Sequence, residues 1–111
     1  MGGNFIHGNV LVVDDERTFT FPAEYARTSN EAIGLLDLGY YDYIWLDHDL
    51  GGEDKGIFVV DWLCKRSFFD SIYPVKEIFV HSMNPGASDD MVRSLVRYSY
   101  NARRVPLPTM K

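Results

Sequence analysis

Hydrophobic and polar positions along the chain fall into short runs of uniformly apolar residues alternating with longer mixed segments. The first run spans Asn9 to Val13, where VLVV ends in two acids, as expected of a parallel strand buried on both faces. A second, shorter strand is predicted at Glu24 to Arg27, and Thr28-Ser29-Asn30 supplies cap-forming residues for a helix from Asn30 to Leu38. YIWL at Tyr43 to Leu46 predicts a third, central strand, again ending in acids. After a Gly-rich loop from Leu50 to Gly56, the run Ile57 to Lys65 carries apolar residues on more than one helical face and predicts a buried helix. Ser71 to Lys76, with Pro74, reads as a connector to a fourth strand at Glu77 to Val80. The loop His81 to Gly86 leads to a helix over Ser88 to Tyr100 with Ser88 as its cap, and Arg103 to Val105 predicts a short fifth strand before Pro106 and Pro108. Strands alternating with helices predict an α/β domain built on a parallel sheet with helices on both faces.

A chain of 111 residues, 46% hydrophobic and 14% aromatic, suits a single domain (1-111, core 9-105) that needs no disulfide or zinc staple. The one cysteine, Cys64, has no internal partner and reads as the inner face of a helix. A net charge of −5 makes the whole surface a poor magnet for nucleic acid, which leaves local basic patches such as Arg103 and Arg104. No apolar run reaches the ~20 residues of a membrane span, and MGGNFIHGN lacks the pattern of a signal peptide, so a cytoplasmic location without a membrane partner is expected.

Ligands of open parallel sheets sit at the carboxyl ends of the strands. Three apolar strands finish there in chemically capable residues: Asp14-Asp15, Asp47-His48-Asp49 and His81-Ser82. Up to four carboxylates on one rim repel each other unless a cation or raised pKa values relieve them. Asp14, Asp15, Asp47 and Asp49 are therefore candidate metal ligands, with Asp49 the least favourably aimed, and hard oxygen donors suit magnesium or manganese. The bland alternative is four separate acids facing solvent. His48 and His81 are candidate proton-transfer groups or ligands, since imidazole titrates nearest neutrality; each alone is more often structural. Ser82 and Asn84 are candidates for orienting a phosphate, although Asn84-Pro85-Gly86 is equally an ordinary loop-to-helix junction. Trp45, Trp62 and Phe79 read as core, Tyr40 and Tyr41 as candidate exposed stacking residues, and Tyr98 and Tyr100 as a candidate dimer face; His7 has no evident partner.

The blocks LVVDDER, WLDHDLGG and FVHSMNPG together resemble the receiver superfamily of response regulators, which carries an acidic pair after its first strand, an aspartate after its third and Ser or Thr after its fourth. Asp14, Asp15, Asp47 and Ser82 match in order. DDER, LDHDLG and HSxNP are more specifically similar to the cyclic-phosphate-processing receiver-like family, over residues 9 to 105. The resemblance implies a flavodoxin-like sheet of strand order 2-1-3-4-5, with the first helix lost or shortened because the segment after Asp15 is too short for it. It also implies a metal-dependent phosphoesterase acting on cyclic phosphate ends of a nucleotide or RNA; Asp47, His48 and His81 are then the catalytic candidates, and the expectation of a homodimer rests on Tyr98 and Tyr100. The alternatives are a phosphoaccepting or degenerate signalling receiver and a phosphate-binding module without turnover. One departure bears on mechanism. Val105 precedes Pro106 where receivers carry a lysine, which leaves Arg103 or Arg104 as candidate substitutes.

Overall fold

A computed structural model describes residues 9–106. Its elements are β1 (Val10–Val13), β2 (Glu24–Ala26), α1 (Ser29–Leu38), β3 (Tyr43–Asp47), α2 (Ile57–Phe68), β4 (Glu77–His81), α3 (Pro85–Arg97) and β5 (Ala102–Arg104). All five strands are parallel, in the order β2-β1-β3-β4-β5. This is the flavodoxin-like receiver order that the resemblance implied.

Alternation along the strands decides which residues meet the helices. Leu11, Val13, Ile44, Leu46, Ile78 and Val80 point to one face and pack on Ala32 and Leu36 of α1, Val59, Val60 and Leu63 of α2, and Met91 and Leu95 of α3. The three helices form one row, α1 on α2 and α2 on α3. That arrangement follows from connectivity. Right-handed crossovers that all step in the direction β2 to β5 deposit their helices on the same side. Only the β1-to-β2 step runs the other way, and residues 14–23 form no helix. The expectation of helices on both faces is thus corrected: the second face is crossed by an irregular strap, whose Phe19 and Phe21 rings lie 5.5 and 5.6 Å from Trp45. Trp45 and Phe79, expected in the core, are half-buried on this face with Tyr43, their own rings 4.8 Å apart.

Local chemistry explains the element ends. Thr28 caps α1 by accepting the Glu31 N–H at 3.0 Å, and Glu31 reaches back to the Arg27 N–H. The start of α3 lies three residues before the expected Ser88. Asn84 is the true cap, its Oδ1 accepting the Ala87 N–H at 3.1 Å, and Pro85 occupies the first turn, where a missing N–H costs nothing. Ser88 is instead buried, its hydroxyl donating to the Asn84 carbonyl. α2 runs three residues past the expected Lys65 and ends in exposed Phe68 and Phe69.

At the amino-terminal rim of the sheet, three tyrosines join the strand entrances. The Tyr73 hydroxyl accepts the Tyr41 N–H and donates to the Gly39 carbonyl, while the Tyr100 hydroxyl accepts the Tyr73 N–H and donates to the Leu63 carbonyl. Tyr41 and Tyr100 are therefore buried, not the exposed stacking and dimer-face residues expected of them. Tyr40, by contrast, is 64% exposed.

Candidate functional site

The side chains of Asp14, Asp47 and His81 lie in register with Val12, Trp45 and Phe79, two residues earlier on their strands, and so emerge on the face without helices. There the sheet rim gathers them. Ligand atoms of all three lie within 4.8 Å of one another, and all three residues are buried. Phe19 and Trp45 wall the cluster, their rings 5.7 and 6.0 Å from the imidazole of His81.

The two carboxylates are treated differently. Asp14 Oδ1 accepts the N–H groups of Glu16 and Arg17 at 3.0 and 2.9 Å, and its Oδ2 lies 3.2 Å from His81 Nε2 and 3.3 Å from Arg17 Nη1. Burial pushes Asp14 up, but the His81 bond, the two backbone N–H groups and the guanidinium outweigh it and hold the carboxyl well below the usual range. Asp47 has fewer partners: Arg17 Nη1 at 3.3 Å on Oδ2 and a long 3.4 Å bond from the Asp49 N–H on Oδ1. Burial, with the Asp14 charge adding to it, raises Asp47 against the pull of His81 and Arg17. The same rim thus favours the charged form of Asp14 and disfavours that of Asp47.

Above Asp47 opens a cleft of about 360 Å³, lined by Asp15, Glu16, Arg17, Asp47, His48, Asp49, Lys55, Ser82, Met83 and Asn84. The loop after β3 forms its wall. Gly51 adopts φ 91°, and a Cβ there would come within 3.0 Å of Asp15 Oδ2, so both conformation and space call for glycine. An antiparallel bridge between Asp49 and Lys55 folds the loop back and brings Lys55 over the cleft.

Each expected site residue can now be placed. Asp14, Asp47 and His81 form the tight cluster; Asp15, His48, Asp49, Ser82 and Asn84 line the cleft above it. Asp49 is exposed and accepts the Gly51 N–H. His81 is fully buried, its Nδ1 without a partner among the described residues, whereas His48 is partly exposed and lines the cleft. Ser82 Oγ accepts the Asn84 N–H, and Asn84 spends its side-chain oxygen on the α3 cap. Neither candidate substitute for the receiver lysine lines the cleft: Arg103 pairs with Glu77 and covers the Phe79 ring, and Arg104 pairs with Asp89. The cations that do line it, Arg17 and Lys55, were not predicted. Arg17 stands in the DDER block three residues after the acid it neutralises, a signal read only for its acids.

The residues suit a hard divalent cation. The group close enough to share one ion is Asp14, Asp47 and His81, in which both Asp14 oxygens are already engaged; Asp15, which accepts no hydrogen bond among the described residues, lines the cleft above and is a further candidate ligand beside Asp47.

Comparison with solved structures gives the same fold. A response regulator from Burkholderia pseudomallei, with a phosphorylated aspartic acid, a calcium ion and citrate, is similar with a TM-score of 0.65 at 22% identity, over 93% of this chain and 61% of that one. NtrX from Brucella abortus gives 0.65 at 19% identity, over 91% and 24%. A CheY-like response regulator receiver domain from Methylobacillus flagellatus gives 0.59 at 13%, over 91% and 86%. The chain thus spans about three fifths of the Burkholderia protein and a quarter of the Brucella one. No curated protein matches the sequence. Among the described residues no helix is long and apolar enough to cross a membrane. The model of the cyclic-phosphate processing receiver domain matches residues 9–97, and the chain belongs to that family.

Proposed function

We propose that this domain is a receiver-type phosphoryl site in which Asp47 is the accepting carboxylate. The observation that carries the reading is the position of Asp47, at the carboxyl end of the central strand, under a cleft that also presents Arg17, Lys55 and Ser82. Asp15 and Asp47 would hold Mg²⁺ or Mn²⁺, which when bound neutralises the acids and polarises the phosphoryl oxygens. The carboxylate oxygen of Asp47 attacks the phosphorus of a small phosphodonor; the bond to the leaving oxygen breaks with its electron pair, and an acyl phosphate remains. Lys55 and the Ser82 hydroxyl supply donors to the phosphoryl oxygens. With acetyl phosphate and Mg²⁺, mass spectrometry is expected to find one adduct of about 80 Da on Asp47, absent in Asp47→Asn. An unmodified wild-type chain would reject the reading.

A second reading follows from the family match. In the same cleft water attacks the phosphorus of a cyclic phosphate at the end of a nucleotide or RNA, one ring P–O bond breaks with its electron pair, and His48, favoured by the burial of His81, passes a proton from the water to the departing oxygen. Turnover of a 2′,3′-cyclic mononucleotide, lost in His48→Ala and Asp47→Asn, is the result that supports it over the accepting receiver.

A further inference from the structure

Arg17 sits inside the cleft as a cation already in place. Its Nη1 alone spans the two buried carboxylates, 3.3 Å from Asp14 Oδ2 and 3.3 Å from Asp47 Oδ2. Its side chain is 30% exposed, and among the described residues neither Nη2 nor Nε donates a hydrogen bond. A guanidinium carries five N–H groups in a rigid plane. With the two on Nη1 given to the acids, three remain uncommitted among the described residues, on a side chain that lines the cleft.

The backbone that carries this fork is fixed from beneath. Arg27 Nη1 donates to the carbonyls of Asp14 and Arg17 at 3.1 and 2.7 Å, its Nη2 donates to Thr18 Oγ1, and Asp14 Oδ1 receives the Glu16 and Arg17 N–H groups. Two buried carboxyl groups thus hold one side of the guanidinium while a second arginine holds its main chain. The remaining side matches the paired oxygens of a tetrahedral oxyanion, the geometry in which an arginine fork exceeds a point charge.

Resting on the phosphoryl reading above, we propose that Arg17 is the oxyanion receptor of the cleft: anchored through Nη1 to Asp14 and Asp47, it presents Nη2 and Nε to a phosphoryl group, so that the anion binds before and without a divalent ion. Asp15, Glu16, Asp47 and Asp49 on the same cleft oppose an anion, and the directed N–H groups of the fork, with Lys55, work against them.

The test is a titration of the full chain with inorganic phosphate in EDTA, followed by the ¹H–¹⁵N signal of the Arg17 Nε–H group and by calorimetry, with chloride as the control for ionic strength. The wild type is expected to bind saturably and to shift that signal. Arg17→Gln is expected to weaken binding by about tenfold or more, Arg17→Lys, which keeps charge and loses the fork, by several-fold, and Lys55→Gln by less than either. Thermal melts of each variant establish folding; if Arg17→Gln does not fold, Arg17→Lys decides. Binding only when Mg²⁺ is added, or equal affinity in the Arg17 variants, would overturn the inference. In that event Asp47 still taking up a phosphoryl group from acetyl phosphate leaves the phosphoryl reading standing, whereas an unmodified Asp47 removes both.

Discussion

Replacing Gly56 by alanine adds one methyl group in a place where the structure has no room. Gly56 precedes α2 with φ −61° and ψ −22°, angles open to any residue, so the prediction is purely steric. A Cβ there would stand 2.1 Å from the backbone oxygen of Asp47 and 3.1 Å from Met91 Cε. The methionine end can rotate away; the Asp47 carbonyl cannot, because the same strand end carries the carboxylate of the site and pairs in register with His81. Gly56 is itself held, its N–H donating to the His48 carbonyl at 2.7 Å. Overpacking of this kind costs ~1–3 kcal/mol, and contact with immovable backbone places Gly56→Ala at the top of that range, about 3 kcal/mol. For a chain of 111 residues, that corresponds to a fall in melting temperature of roughly 13 °C. Urea denaturation with an unchanged slope is the assay, and it is paired with the acetyl phosphate adduct on Asp47, which is expected to fall as the strand end is displaced. A loss below about 1 kcal/mol with a normal adduct would refute the packing argument.

Tyr73→Phe removes a hydroxyl that satisfies the Tyr41 N–H and the Gly39 carbonyl in a residue that is 1% exposed; a loss of ~1–3 kcal/mol is expected in denaturant titration. Because Asp14 is held below its unfolded value, its stabilisation is present above about pH 4 and disappears as pH falls through the folded value; Asp14→Asn is expected to flatten this part of the acid-unfolding curve. Asp47 is shifted the other way and contributes the opposite slope, so Asp47→Asn is expected to raise stability near neutral pH relative to acid, as measured by the pH dependence of the melting temperature. Cys64, pushed up to about 11 by burial and the neighbouring Asp61 charge, is expected to react with iodoacetamide at pH 7 far more slowly than the unfolded chain does, as read by mass spectrometry.

The sheet was readable because VLVV, YIWL and EIFV are apolar on both faces and end in polar residues, a combination peculiar to buried parallel strands. Connectivity then brought the acids to one rim. Helix ends were less readable. Asn84-Pro85-Gly86 carries both a turn and a cap-plus-proline start, and only the Asn84 bond to Ala87 decides between them. The burial of Tyr41 and Tyr100 depends on hydroxyl partners 17 to 37 residues away, which periodicity cannot register. Arg17 was missed for a related reason: in a polar loop its role is set by Asp47, 30 residues on. The burial of His81 follows from Phe19, on a strap with no helical or strand pattern of its own.

The tyrosine stitching at the floor of the sheet has a consequence for motion. Hydrogen bonds through side chains lock the entrances of β3, β4 and β5 to one another and to α2, at the end opposite the acids. Any rearrangement that accompanies ligand capture must then be taken up by the loops after β1, β3 and β4, which move over a stationary anvil, and amide exchange at Tyr41 and Tyr73 should stay slow whether or not the upper rim is engaged.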